Sequence, residues 1–216
     1  MNLLGTLRMT RACLPALKRC GGSVVFIGTQ SSVAAPSQVR QAAYAASKGA
    51  LTSAMYSLAR ELGPYRIRVN TVLPGWMWGP PVQAYVQFTA HTEGVPEADV
   101  KHRLTDRTAL PELATDGDVA DAAVFLASDR ARAITGQSLL VNAGELMRQS
   151  GRSPERLQGR PGGWMFRATA APLRAARDPH PVSPFPIHRM FPTGEVPAHG
   201  VFLVTSTTTA VQVKRR

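Results

Sequence analysis

The feature that most constrains the fold of this chain is a helical stretch with a short apolar run on each side. Residues 24–27 follow two glycines and are β-branched or aromatic, which is typical of a strand buried on both faces. Residues 44–62 carry apolar side chains at helical spacing and are followed by Gly-Pro, a strong helix stop. Residues 67–73 predict a second strand, which ends at a Pro-Gly turn. The order strand, helix, strand predicts a βαβ unit of a parallel sheet.

Polar residues follow the first of these strands and begin the helix after it. Ligands of open α/β sheets bind outside the carboxyl ends of the strands, and Ser31 lies there, with Thr29 and Ser32 as alternatives. Tyr44 and Lys48 are four residues apart, so they share one face of the helix. A phenol is a poor proton donor or acceptor at neutral pH, but a neighbouring ammonium favours the phenolate. The pair therefore indicates a general acid/base.

Over residues 1–147 the order of these motifs resembles the C-terminal half of the short-chain dehydrogenase/reductase family. Further matching segments are Asn2-Leu3-Leu4-Gly5, Ala50-Leu51, residues 58–62, residues 66–70, Pro74-Gly75 and residues 134–144. The resemblance implies an α/β fold with a partial Rossmann-like, doubly wound parallel sheet.

The resemblance also implies a role for each catalytic residue of the family that this sequence matches. Tyr44 would exchange a proton with the alcohol or carbonyl oxygen of the substrate, and Ser31 would hydrogen-bond the same oxygen. Lys48 would favour the phenolate and bind the ribose hydroxyls of the cofactor. Asn2 would hold a water molecule that relays the proton towards Lys48.

The implied cofactor is NAD or NADP, and the residues expected on its side of the site are Tyr44, Lys48, Pro74, Gly75 and Met77. The family binds the cofactor pyrophosphate with a Gly-rich turn before a helix, and this sequence has no such stretch. The residue that selects NAD from NADP is absent as well. We therefore expect a fragment, or a chain whose start was assigned too late, with weak affinity for a dinucleotide.

The predicted activity is hydride transfer between NAD(P)(H) and a small-molecule alcohol or carbonyl substrate. The alternative is a catalytically silent dehydrogenase fragment that acts through dimerisation or subunit pairing. The helix at residues 44–62 and the one before Ser23 are those that the family uses to form dimers, so a homo-oligomer is expected. Binding of NAD(H) or NADP(H) separates the two hypotheses, since only the enzyme requires it.

The segment after the Pro-Gly turn is expected to cover the substrate. Trp76 and Trp78 fit a hydrophobic substrate pocket and core packing equally well, and residues 82–90 predict a short helix. Gly79 stands where the family usually has a Thr that contacts the cofactor, which puts that contact in doubt. Residues 115–127 begin with a capping sequence and predict a helix whose Val, Phe and Leu face packs on the sheet.

Charge and proline are concentrated near the end of the chain. Residues 151–216 hold ten Lys or Arg and three Asp or Glu, which gives +7 of the net +11, and nine of the 17 prolines. Such a composition cannot bury enough surface to fold alone, so residues 148–216 are predicted to be a disordered basic tail after a domain at residues 1–147. Within it, residues 201–204 and 205–213 are candidates for an added strand.

Several classes of function are disfavoured by the sequence. The basic tail invites nucleic-acid binding, a third hypothesis, but the chain has no stacking motif, zinc spacing or helix-turn-helix pattern. The five histidines are scattered, so no metal site is expected. Two cysteines do not form a disulfide framework, which favours a cytoplasmic location. No apolar run approaches the ~20 residues of a membrane span.

Overall fold

The computed structural model describes residues 2–37, 39–147, 200–204 and 210–212. The helices are α1 (Leu4–Cys20), α2 (Ala42–Leu62), α3 (Pro80–Glu93), α4 (Glu97–Thr105) and α5 (Asp116–Ala127). The strands are β1 (Gly22–Ile27), β2 (Ile67–Pro74), β3 (Ser138–Val141), β4 (Gly200–Val204) and β5 (Ala210–Gln212). None of the helices in these ranges is both long and apolar enough to cross a membrane.

The strands form one sheet in the order β3-β2-β1-β4-β5. The pairs β1–β2, β2–β3 and β1–β4 are parallel, and β5 is antiparallel to β4. The predicted α/β fold with a partial Rossmann-like parallel sheet is therefore confirmed. The candidate strand at residues 201–204 forms β4, and three residues of the second candidate form β5. Most of the predicted low-order tail lies outside the described residues.

The core lies on both faces of β1 and β2, as the apolar sequence of these strands requires. Val24, Phe26 and Val69 face α1 and α2, where they pack with apolar side chains of both helices. Val25 and Val72 face the other side and pack against α5. Because side chains alternate along a strand, one buried run of this kind contacts a helix layer on each face.

Helix α2 is the element that carries Tyr44 and Lys48, and it begins at Ala42, two residues earlier than predicted. Its buried side chains recur every three or four residues and face β1 and β2. The helix ends at Leu62 as predicted, but Gly63 keeps right-handed dihedral angles (φ −52°). The left-handed residue that turns the chain into β2 is Arg66, with φ of 57°.

Helices α3 and α4 form a small layer beside the carboxyl ends of the strands. Helix α3 extends beyond the predicted residues 82–90 at both ends, and α4 was not predicted. Only two side chains of α4, Val100 and Leu104, are buried, and this is too short an apolar pattern to indicate a helix from sequence. They join Val86, Ala90 and Leu113 in a third hydrophobic cluster.

Helix α5 begins with the predicted cap, because Thr115 Oγ1 accepts the Asp118 N–H and Asp118 Oδ2 accepts the Thr115 N–H at 2.7 Å. Val119 and Leu126 pack on the sheet as predicted. The prediction was wrong for Phe125, whose side chain is 40% exposed. Residue 125 is rotated about 100° from Leu126 on a helix, which takes it off the buried face.

Candidate active site

A cavity of about 480 Å³ lies beyond the carboxyl ends of β1 and β2. Its polar lining comes from Gln30, Ser31, Gln41 and Tyr44. Its apolar lining comes from the loop after β1, the Pro-Gly turn after β2 and the start of α3. The position agrees with the general rule that ligands of open α/β sheets bind outside the carboxyl ends of the strands.

Tyr44 and Ser31 both line this cavity, Tyr44 from the first turn of α2 and Ser31 from the 3₁₀ turn after β1. Ser31 Oγ donates a hydrogen bond to Gln41 Oε1 at 3.0 Å. Thr29 and Ser32 do not line the cavity, and they make local contacts instead. Thr29 Oγ1 accepts the Ser31 N–H, and Ser32 Oγ donates to the Thr29 carbonyl at 2.7 Å. The geometry favours Ser31 over its two neighbours.

Lys48 lies one helical turn after Tyr44 and is only 1% exposed. Its Nζ donates a hydrogen bond to the Ile27 carbonyl at 2.5 Å, at the end of β1. Burial lowers the pKa of the Lys48 ammonium to about 8. An ammonium has three N–H donors, and within the described residues Lys48 has one hydrogen-bond partner, the Ile27 carbonyl.

Asn2 contacts the same helix from the start of the described chain. Its Nδ2 donates to Ser47 Oγ at 3.3 Å, and Ser47 Oγ in turn donates to the Tyr44 carbonyl at 2.8 Å. Ser47 directly precedes Lys48. Asn2 is therefore linked through Ser47 to the turn of α2 that carries both Tyr44 and Lys48, and its role in holding a water molecule stays a prediction.

The residues after β2 fall into two groups. Pro74 and Gly75 line the cavity, and a Cβ on Gly75 would come within 2.7 Å of the Asn142 Cβ. The Met77 side chain packs instead against the cluster beneath α5, and its carbonyl accepts the Gly79 N–H at 2.7 Å. The cofactor-binding role of Met77 stays a prediction.

Both tryptophans pack against the third hydrophobic cluster, and one of them also lines the cavity. Trp76 is the one in the cavity lining, with its ring centroid 5.1 Å from that of Tyr85, which lines it too. The Lys101 ammonium lies 4.3 Å above the ring centroid of Trp78. Trp76 therefore has both predicted roles, and Trp78 has the packing role.

Gly79, which stands at the position of the usual Thr of the family, lies close to the start of α5. A Cβ at this position would lie 2.6 Å from Asp116 Oδ1, at the start of α5. The backbone here is extended (φ −135°), so the constraint is the close approach of the carboxylate rather than the dihedral angle.

A polar network beside the cavity was not predicted from the sequence. Gln30 Nε2 donates to Glu145 Oε2 at 2.9 Å, and Gln30 Oε1 accepts from Asn142 Nδ2 at 2.6 Å. Glu145 is paired with Arg107, with Nη2 and Oε1 2.6 Å apart, and its side chain is 5% exposed. Gln30 directly precedes Ser31, and that position was the only signal available in the sequence.

These donors and acceptors fit the nicotinamide and ribose end of a dinucleotide. An ammonium can donate to ribose hydroxyls, and a narrow Pro-Gly turn lets the backbone approach a flat ring. The ammonium of Lys48 is covered in this structure, so its ribose contact requires a shift of the side chain.

The comparisons with known proteins agree with this geometry. The family model described as enoyl-(acyl carrier protein) reductase matches residues 1–145. The chain belongs to the short-chain dehydrogenase/reductase family. A solved relative, an oxidoreductase of the short-chain dehydrogenase/reductase family from Burkholderia thailandensis, is 35% identical with a TM-score of 0.57. That match covers 67% of this chain and 53% of the other chain.

Two curated relatives are named dehydrogenases. The (3R)-3-hydroxyacyl-CoA dehydrogenase of Rattus norvegicus is 36% identical over 147 residues, covering 68% of this chain and 52% of the relative. The L-fucose dehydrogenase of Bos taurus is 38% identical over 144 residues, covering 67% of this chain and 50% of the relative. The chain thus spans about half the length of these short-chain dehydrogenase/reductase relatives.

Proposed function

We propose that this protein is an NAD(P)-dependent oxidoreductase that interconverts an alcohol and a carbonyl compound. The observation that carries the proposal is the shared cavity of Tyr44 and Ser31, with the Lys48 ammonium buried one helical turn away. The dehydrogenase relatives support the same class of reaction and small-molecule substrates. They do not favour the alternative of a catalytically silent fragment.

Tyr44 carries the proton transfer in this proposal. In the direction of reduction its hydroxyl gives a proton to the carbonyl oxygen, and in oxidation its phenolate takes the proton from the alcohol. Ser31 Oγ donates a hydrogen bond to the same oxygen, for which it exchanges its present partner, Gln41. The two hydroxyl groups hold the substrate oxygen, so the reacting carbon faces the remaining side of the cavity.

Lys48 and Asn2 assist the proton transfer by Tyr44 in this proposal. Lys48 lies on α2, and Asn2 lies just before α1. Lys48 lies one helical turn after Tyr44 and is buried, and in this proposal its ammonium stabilises the negative charge that develops on the Tyr44 oxygen during proton transfer. Asn2 donates a hydrogen bond to Ser47 Oγ, and in this proposal it would hold a water molecule that passes protons to Lys48.

The cofactor is NAD or NADP, which when bound accepts or supplies the hydride. Lys48 would hold its ribose hydroxyls, and Pro74, Gly75 and the backbone at Met77 would hold its nicotinamide end. The cavity walls would keep water away from the reacting carbon, since most of the lining beyond Tyr44 is apolar.

The test compares Tyr44→Phe with Tyr56→Phe, a change of the same chemistry on α2 at a side chain that is 51% exposed and outside the cavity. Oxidation of L-fucose and of cyclohexanol is followed by the absorbance of reduced nicotinamide with NAD⁺ and with NADP⁺. We expect Tyr44→Phe to lower turnover by roughly 10²–10⁴-fold, the range for loss of a general acid/base, and Tyr56→Phe to keep it. Wild-type turnover in Tyr44→Phe would overturn the assignment.

A further inference from the structure

We propose that Gln30 binds a second oxygen of the substrate and so selects vicinal diols and sugar-like substrates over simple alcohols. The inference rests on the proposed function, because it places the reacting oxygen at Tyr44. It assigns Gln30 as a contact residue, and Asn142, Glu145 and Arg107 as positioning residues that act through Gln30.

The first argument is the location of Gln30. Its side chain lines the same cavity as Tyr44, and it directly precedes Ser31 at the carboxyl end of β1. A substrate whose reacting oxygen contacts Tyr44 and Ser31 therefore has Gln30 in the lining beside it. In this proposal the Gln30 amide contacts the oxygen on the carbon next to the reacting one.

The second argument is that the orientation of the Gln30 amide is determined. Asn142 Nδ2 requires an acceptor, which makes the Gln30 atom 2.6 Å away the oxygen, and Glu145 requires a donor, which makes the other atom the nitrogen. Asn142 is oriented in turn, because its Oδ1 accepts the Gly144 N–H at 3.1 Å and its Nδ2 donates to the Leu146 carbonyl at 3.0 Å.

The third argument is the hydrogen-bonding capacity of the Gln30 amide that the network leaves unused. A primary amide has two N–H donors and two oxygen lone pairs. Among the described residues, the network uses one N–H and one lone pair of Gln30, which leaves one of each. A hydroxyl group both donates and accepts hydrogen bonds. It therefore matches the one N–H and the one oxygen lone pair of Gln30 that remain.

The fourth argument is the electrostatic cost of the network. Glu145 is almost fully buried, and a buried carboxylate is costly unless it is paired and hydrogen-bonded. The Arg107 guanidinium and the Gln30 amide meet that requirement together. A network that served only to hold the loop after β3 would not need a member in the cavity lining.

The aromatic part of the cavity lining suits a substrate of the same class. Trp76 and Tyr85 both line the cavity, and their rings are packed against each other with centroids 5.1 Å apart. A substrate that carries C–H groups on one face and hydroxyl groups at its edge meets rings on that face and Gln30 at that edge.

The experiment measures binding of two matched probes by saturation-transfer-difference NMR titration of the full chain with NAD⁺ present. Cyclohexanol carries one hydroxyl group, and trans-1,2-cyclohexanediol carries a second on the next carbon. We expect the diol to bind wild-type protein about fivefold more tightly, the effect of one net hydrogen bond. Gln30→Leu and Asn142→Asp should reduce that ratio to about one without weakening cyclohexanol, since the carboxylate introduced at position 142 would repel the Gln30 oxygen.

The control is Gln87→Leu, the same substitution at an exposed side chain of α3 outside the cavity, which should keep the preference for the diol. Equal binding of the two probes by wild-type protein, or an unchanged ratio in Gln30→Leu, overturns the inference and leaves the proposed function standing. If wild-type protein binds neither probe, the result contradicts both the inference and the proposed function. The cyclohexanol titration distinguishes this outcome from failure of the inference alone.

Discussion

The polar residues near the start of β2 and those that lie beyond its carboxyl end are of similar type but have different roles. Near its start, the Arg68 guanidinium donates to the carbonyls of Ala127 and Ser128 at 3.1 and 3.0 Å, and also to Leu126, at the end of α5. Asn70 is fully buried and binds the segment before β3 through both ends of its amide. Beyond the carboxyl end of the same strand, the polar groups line an open cavity.

The difference teaches that the chemical type of a side chain does not decide its role. Arg68 and Asn70 have backbone partners that a folded chain always supplies, so they stabilise the fold. Among the described residues, the ammonium of Lys48 has one hydrogen-bond partner, the Ile27 carbonyl, and Tyr44 lines the cavity. The polar groups that line this cavity can therefore meet a ligand, whereas Arg68 and Asn70 are bonded within the fold.

The largest expected effect concerns Arg68, near the start of β2. Arg68→Met removes the bonds that hold the last carbonyls of α5, and we expect the free energy of unfolding to fall by about 4 kcal/mol. Arg130→Met, at an exposed arginine two residues past the same region, should change it by less than about 0.5 kcal/mol. Urea denaturation of both variants measures these changes. Wild-type stability in Arg68→Met would contradict the claim that Arg68 stabilises the fold.

The next largest effect concerns Lys48 and the pH dependence of the free energy of unfolding. Folding lowers the pKa of Lys48 to about 8, against about 10.4 in an unfolded chain. Between these values the unfolded chain binds more protons, so the free energy of unfolding rises with pH. The rise totals about 3 kcal/mol, and the stability is lowest below pH 8, where Lys48 is charged in both states.

Urea denaturation at a series of pH values checks this expectation. The rise should disappear in Lys48→Met and persist in Lys101→Met, whose ammonium lies over Trp78 at the surface of α4. An equal rise in both variants would show that Lys48 is not the group responsible.

The smallest effect concerns the two glycines that border the site elements. Gly79→Thr places a Cβ against the Asp116 carboxylate, and we expect a loss of about 1 kcal/mol because that side chain must move. Gly63→Ala meets open space at a right-handed position, so it should gain about 0.5 kcal/mol. Thermal melts that show the same sign for both changes would contradict the packing described at Gly79.

The sequence predicted the parallel sheet, α2 and the cap of α5 because each depends on local patterns of apolar residues and caps. It did not predict α4, whose buried side chains are only Val100 and Leu104, or the exposure of Phe125. The positions of Tyr44 and Ser31 in the cavity lining could be predicted because each follows from a local pattern, the start of a helix and the end of a strand. The contacts of Gln30 were missed because its partners lie 112 and 115 residues away, and a single sequence carries no sign of them.

The most direct test of the central claim, that the carboxyl end of the sheet is a dehydrogenase site, is binding of reduced cofactor. Energy transfer from tryptophan to NADH and to NADPH reports binding of the reduced cofactor, and Trp76 in the cavity lining is one of the donors. We predict saturable transfer for at least one of them in wild-type protein, and weaker binding in Lys48→Met. Absence of binding to both cofactors by the full chain would contradict the account.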